Sequence, residues 1–172
     1  MTGFAEKVSD DTVRIVRTLA APVEQVWNWL IDPEKRAKWF AAGTVDPRPG
    51  GRIVCLFDHN TLSPEPGAVP ERYRDAIGHR SELAILDIDP PRLLRHEWGD
   101  GSVVTFELSP HDGGTTLTLT HSRLRDIDAM RNVAGGWTSH LAVLVDVIAG
   151  RTPRNFWATH EESEAQVRGL LG

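Results

Sequence analysis

The stretch from Gly135 to Gly150, GGWTSHLAVLVDVIAG, is the longest apolar segment of the chain and constrains its fold more than any other feature. It falls short of the ~20 predominantly apolar residues that span a bilayer, and it starts polar, so its apolar face must be covered within the protein. Val133, Trp137, Leu141, Leu144 and Ile148 recur at helical spacing and Gly150 stands where a helix would end. That pattern predicts a long amphipathic helix needing a broad apolar surface to lie on.

The rest of the chain supplies strands. Residues 13–20, VRIVRTLA, alternate in polarity and put Val13, Ile15 and Arg17 on one face. Pro22 suits a first helical turn, and Val23, Val26, Trp27 and Leu30 at i, i+3, i+4 and i+7 make a short helix that ends before Asp32-Pro33. EKRAKWF adds another short helix, closing on the aromatic pair Trp39-Phe40. After the turn DPRPGGR, residues 53–57 read as a strand apolar on both faces and therefore covered on both. Residues 59–78 read as a long proline-containing loop with one helical turn over 70–76. Residues 80–88 form a further strand. Two hairpins follow, Leu93–Trp98 with Ser102–Leu108 around Gly99-Asp100-Gly101, then Thr116–His121 after SPHDGGT. Past Gly150, Thr152 and Pro153 occupy cap and first-turn positions of another helix, whose Phe156-Trp157 pair would seal an edge or a partner subunit. Strands dominated by hairpins, with helices at both ends of the order, define an α+β architecture.

Composition narrows the function classes. A net charge of −5 without a Lys/Arg cluster argues against a nucleic-acid partner. Cys55 is the single cysteine, so no internal disulfide exists, and a cytoplasmic setting is the expectation, with no secretory pattern at the start. The seven histidines stand too far apart along the chain for a zinc motif, and neither a phosphate loop nor an HExxH pattern occurs. No metal, no cofactor and no membrane partner are expected.

Hairpin symmetry carries the reading further. Counting outward from Gly99-Asp100-Gly101 sets Leu94 against Phe106 and His96 against Val104, with Trp98 on the same face. The second hairpin sets Val104 against His121. His96 and His121 then flank Val104 on one apolar wall, where neutral imidazoles can orient a ligand's carbonyl or hydroxyl, or act as general acid or base near neutral pH. A strand-face histidine is also a common core residue, and Glu97 points to the opposite face from His96.

In order along the chain, APVEQVWNWLIDPEKRAKWF, DPRPGGR, LDIDPPRLLRHEW, GTTLTLTHSRL and GGWTSHLAVLVDVIAG resemble the activator-of-heat-shock-ATPase homologue branch of the START-like (SRPBCC) superfamily. The resemblance implies a helix-grip fold: a curved antiparallel sheet of about six to seven strands around the long C-terminal helix, with a cavity between them. Chain length leaves room for a single domain over 1–172, with a flexible N-terminus at 1–11, a core at 12–150 and an extra helical tail at 151–172; that tail and the proline-rich segment 59–77 depart from the family. Superfamily members bind lipids, polyketides and other small apolar molecules, so the first expectation is a small hydrophobic ligand lined by Trp39, Phe40, His96, Trp98, Val104, Phe106, His121, Trp137 and Leu141. Two alternatives stay open. One is a protein-binding module resembling an activator of the ninety-kilodalton heat-shock chaperone, and the other is a cyclase- or dehydratase-like enzyme using His96 or His121. Val54 and Leu56, a second apolar face near a sheet edge, point to a homodimer.

Overall fold

The structure, a computed structural model, describes residues 5–64, 69–71 and 78–171. Among them one antiparallel sheet runs in the order β1-β2-β7-β6-β5-β4-β3, from β1 (Glu6–Ser9), β2 (Thr12–Leu19), β3 (Arg52–Leu56), β4 (Arg80–Asp89), β5 (Leu93–Glu97), β6 (Val103–His111) and β7 (Gly114–Ser122). The helices are α1 (Val23–Ile31), α2 (Pro33–Arg36), α3 (Ile127–Ile148) and α4 (Phe156–Leu171), with a 3-10 turn at His59–Thr61. This is the α+β helix-grip arrangement: the curved sheet holds the long helix α3.

Local chemistry sets the boundaries. The Asp32 carboxylate accepts hydrogen bonds from the Glu34 and Lys35 amides, which ends α1 and starts α2 at Pro33. Asp126 caps α3 through the Ala129 amide at 2.8 Å, and Gly150 beyond its last turn takes the left-handed conformation at φ 74°. Both hairpins keep the register their turns require, with Leu94 opposite Phe106, His96 opposite Val104 and Val104 opposite His121. Every second residue of β7, from Thr115 to His121, is buried, so one sheet face is continuous with the core under α3.

Four expectations change. Residues 6–9, expected within a flexible N-terminal stretch, pair with β2 as an edge strand. The second face of β3 is not covered: Val54 is half-buried and Leu56 is 43% exposed. Helix α4 starts at Phe156 rather than at Thr152-Pro153, because the Asn155 side chain caps it through the Ala158 amide at 3.0 Å. Residues Arg151 and Arg154 are instead drawn back onto Asp146 of α3. The Phe156-Trp157 pair is buried inside the chain rather than exposed for a partner. The helical turn expected over 70–76 falls mainly outside the described residues.

The free edge of β3 is protected by residues 42–45, which bridge to it at Leu56 and Ile53. Gly43 makes that approach possible: its φ is 127°, and a Cβ there would lie 1.9 Å from the Val54 carbonyl oxygen. The Gly135-Gly136 pair does two different things on α3. At Gly135 helix α4 passes so closely that a Cβ would meet Glu164 Cγ at 3.3 Å, while a Cβ on Gly136 would meet nothing within 4 Å.

Candidate functional site

A cavity of ≈ 320 Å³ lies where α3 and α4 meet the β3–β4 end of the sheet. Phe40, reached from α2, stacks on Trp137 of α3 at 5.2 Å between ring centroids and 14° between planes. Trp98, at the end of β5, closes on Trp137 at 5.2 Å. Phe57 and His79, after β3 and before β4, stack at 6.3 Å. On the far side, α4 contributes Phe156, Trp157 and His160, and the 3-10 turn contributes His59. Asn132, Val133, Gly136 and His140 of α3 complete the wall, so no Asp, Glu, Lys or Arg is among the described residues that line it.

Polar anchors hold these rings apart. The Trp137 indole donates to His121 Nδ1 at 3.0 Å, which fixes that imidazole as the Nε2–H tautomer. His121 Nε2–H in turn donates to Ser102 Oγ at 2.7 Å, and the Ser102 hydroxyl donates to Asp100. The Trp157 indole donates to Asn60 Oδ1 at 3.1 Å, and the Phe156 amide donates to Ser63 Oγ at 3.3 Å. His140 Nδ1–H donates to the Trp39 carbonyl at 2.9 Å. The Ser139 hydroxyl is committed to the Gly135 carbonyl, so it accepts from His160 Nδ1–H at 3.0 Å. Trp137, Trp157, His140 and His160 are thus each positioned by a bond made behind the ring.

Burial dominates the site's electrostatics. Desolvation pushes His140 down to about 3, with the neighbouring His59 and His160 acting in the same direction against the Trp39 hydrogen bond. Desolvation and His160 push His59 down to about 4, opposed by Asp58. His96 and His121 also fall to about 4 through burial, opposed in His121 by Asp100 and in His96 by the bond to the Glu97 carbonyl. All four imidazoles are neutral at physiological pH. Beside them, the buried Arg36 donates to the Leu30 carbonyl at 3.0 Å and to Cys55 Sγ at 3.6 Å, and lies 5.2 Å from the Phe40 ring centroid.

The model of the Activator of Hsp90 ATPase homolog 1-like family matches residues 20–149. This chain belongs to that family. Among solved structures it is similar to the protein encoded by gene BPP1335 of Bordetella parapertussis, with 38% identity over 96% of this chain and 89% of the other and a TM-score of 0.82. It has the fold of CalU16 from Micromonospora echinospora, with 22% identity, 98% and 94% coverage and a TM-score of 0.69. It also has the fold of the Aha1 dimer from Colwellia psychrerythraea, with 16% identity, 80% and 95% coverage and a TM-score of 0.61. No curated protein matches significantly.

The family match ends before the tail, yet Phe156, Trp157 and His160 of that tail form one side of the cavity. Of the residues singled out from sequence, Phe40, Trp98 and Trp137 stand on the wall. Trp39, His96, Val104, Phe106, His121 and Leu141 are buried and stand outside it. His121 sits directly behind Trp137, and Trp39 packs edge-on against Phe106 at 6.4 Å. Period-two reasoning gives the face of a strand but not the depth at which the facing helix seals it. His59, His140 and His160, together with Phe57, were not reached by that reasoning. A signal for them exists: Trp137 with His140, and Phe156 with His160, sit one helical turn apart on α3 and α4, which puts each pair on one face.

Proposed function

We propose that this protein binds a small, largely apolar molecule in the cavity between α3, α4 and the β3–β4 end of the sheet. One observation carries the reading: six aromatic side chains, Phe40, Phe57, Trp98, Trp137, Phe156 and Trp157, pack against one another in pairs and still leave open space between them. The indoles of Trp137 and Trp157 are tethered by hydrogen bonds made away from the space, so the cavity is built before a guest arrives. Its volume is at the lower end of the ~300–1,000 Å³ usual for small-molecule sites, which favours a compact ring system over a long acyl chain.

The enzymatic alternative finds less support. Both nitrogens of His121 are engaged, His96 Nδ1–H is committed to the Glu97 carbonyl, and burial disfavours a proton on either ring. Neither stands on the cavity wall. The Asp100–Ser102–His121 chain has the residue types of a hydrolytic triad but the wrong order, because the serine proton points to the carboxylate. Among the described residues no helix is long and apolar enough to cross a membrane.

The test is a thermal-unfolding screen with apolar ring compounds. A guest that binds only the folded state raises Tm, by an amount that grows with its concentration. Gly136→Leu, whose side chain would enter open space beside the cavity, should abolish the shift while preserving the fold. A broad panel without any shift, or a shift that survives Gly136→Leu intact, contradicts the proposal.

A further inference from the structure

Resting on the cavity reading above, we infer that the guest is a neutral, planar aromatic molecule carrying a hydrogen-bond donor, of the phenol class, whose donor is read by His140 with His59 beside it.

Charge is settled by the wall. Among the described lining residues there is no Asp, Glu, Lys or Arg, and His160 is already paired with Glu164 at 3.1 Å, so a carboxylate, phosphate or quaternary ammonium group would enter a mostly apolar site that offers it no uncommitted opposite charge, an unfavourable transfer. Shape follows from the lining too. Ten of the thirteen described lining residues carry rings, and two pairs stand near-parallel: Phe40 on Trp137 at 14°, and Phe57 on His59 at 13°. Flat faces and edges at these spacings reward a guest that has both, by stacking and edge-to-face contact.

The donor is read from hydrogen-bond accounting. A neutral imidazole has one N–H, and His140 spends it at Nδ1 on the Trp39 carbonyl. Its Nε2 is therefore a lone-pair acceptor on a side chain only 6% exposed, with no protein donor directed to it. His59, whose ring centroid lies 5.3 Å from that of His140, has a buried Nδ1 that also lacks a partner. Burial keeps both rings uncharged, so neither is converted to a pure donor at neutral pH. The unspent Nε2 of His140, on a ring that lines the cavity, is an acceptor that a guest's donor can fill. A phenolic hydroxyl donates to it.

The experiment is calorimetric titration of the full-length protein with naphthol, its methyl ether and its fully saturated ring analogue. Naphthol should bind about tenfold or more tightly than the ether, which cannot donate, and more tightly than the saturated alcohol, which cannot stack. In His140→Phe the preference for naphthol over the ether should fall towards unity while the ether keeps its affinity. Equal affinity of naphthol and ether for the unaltered protein overturns the donor assignment but leaves a working cavity, and this comparison decides even where His140→Phe fails to fold. Tighter binding of the saturated alcohol overturns the aromatic assignment. Saturable binding by none of the three overturns the cavity reading itself.

Discussion

Acidification from about pH 7.5 to about pH 5 should lower this protein's stability by several kcal/mol through four side chains, His59, His96, His121 and His140. In the unfolded chain each titrates near 6.5; in the folded protein burial holds three at about 4 and His140 at about 3. The unfolded state therefore binds more protons, so stability is complete above 6.5, falls as pH drops below it, and levels off below the folded values. Integrating between the two pH values gives a loss of about 2 kcal/mol per ring, or about 8 kcal/mol for all four, against a total of about 5–15 kcal/mol for an ordinary domain. The Asp146 carboxylate, held below its ordinary value first by the Arg154 hydrogen bond, adds a loss only at pH below about 3.8, outside this window. Urea denaturation at a series of pH values reads the effect directly, and unfolding at pH 5 should take up between about three and four protons. His96→Leu should cut the pH dependence by about a quarter whatever it does to absolute stability. A urea midpoint that stays constant from pH 7.5 to 5 refutes the premise that these imidazoles are buried and neutral.

Ser102→Ala leaves the Nε2–H of a fully buried His121 without an acceptor and should cost about 1–3 kcal/mol in denaturant unfolding. In a double-mutant cycle its effect should be non-additive with Trp137→Phe, because both act on the same ring. Phe156→Ala should cost about 3–5 kcal/mol and weaken guest binding, since this buried ring is both core and cavity wall. Gly43→Ala should destabilise by at least about 2 kcal/mol, because its Cβ would overlap the Val54 carbonyl at a backbone angle that disfavours side chains.

Much of the fold is legible in the chain because local rules and the global packing agree. The alternation in β2 and β7, the helix entry at Pro22-Val23 and the hairpin count around Gly99-Asp100-Gly101 each have one physical solution, and the observed registers match it. The site is less legible, because it depends on distances between elements remote in sequence. Trp137 and Phe40 read as interior residues, but nothing local says that His59 and Trp157 meet at 5.3 Å, since they come together only when α4 folds back over α3. The return of α4 is itself tied down by the buried Asp146 receiving Arg151 and Arg154, at 3.3 and 2.9 Å, and by the room left at Gly135. Thr152-Pro153 resembles a helix start locally, but the two arginines around it are committed to Asp146, which postpones α4 to Phe156, behind the Asn155 cap.

Whether the guest sits among the rings at the junction of α3 and α4 is decided by NMR of the indole N–H signals during titration with naphthol. The Trp98, Trp137 and Trp157 signals should move saturably, with those of Trp27 and Trp29, which do not line the cavity, left in place. Saturation that moves Trp29 and leaves Trp137 and Trp157 unchanged would contradict that placement.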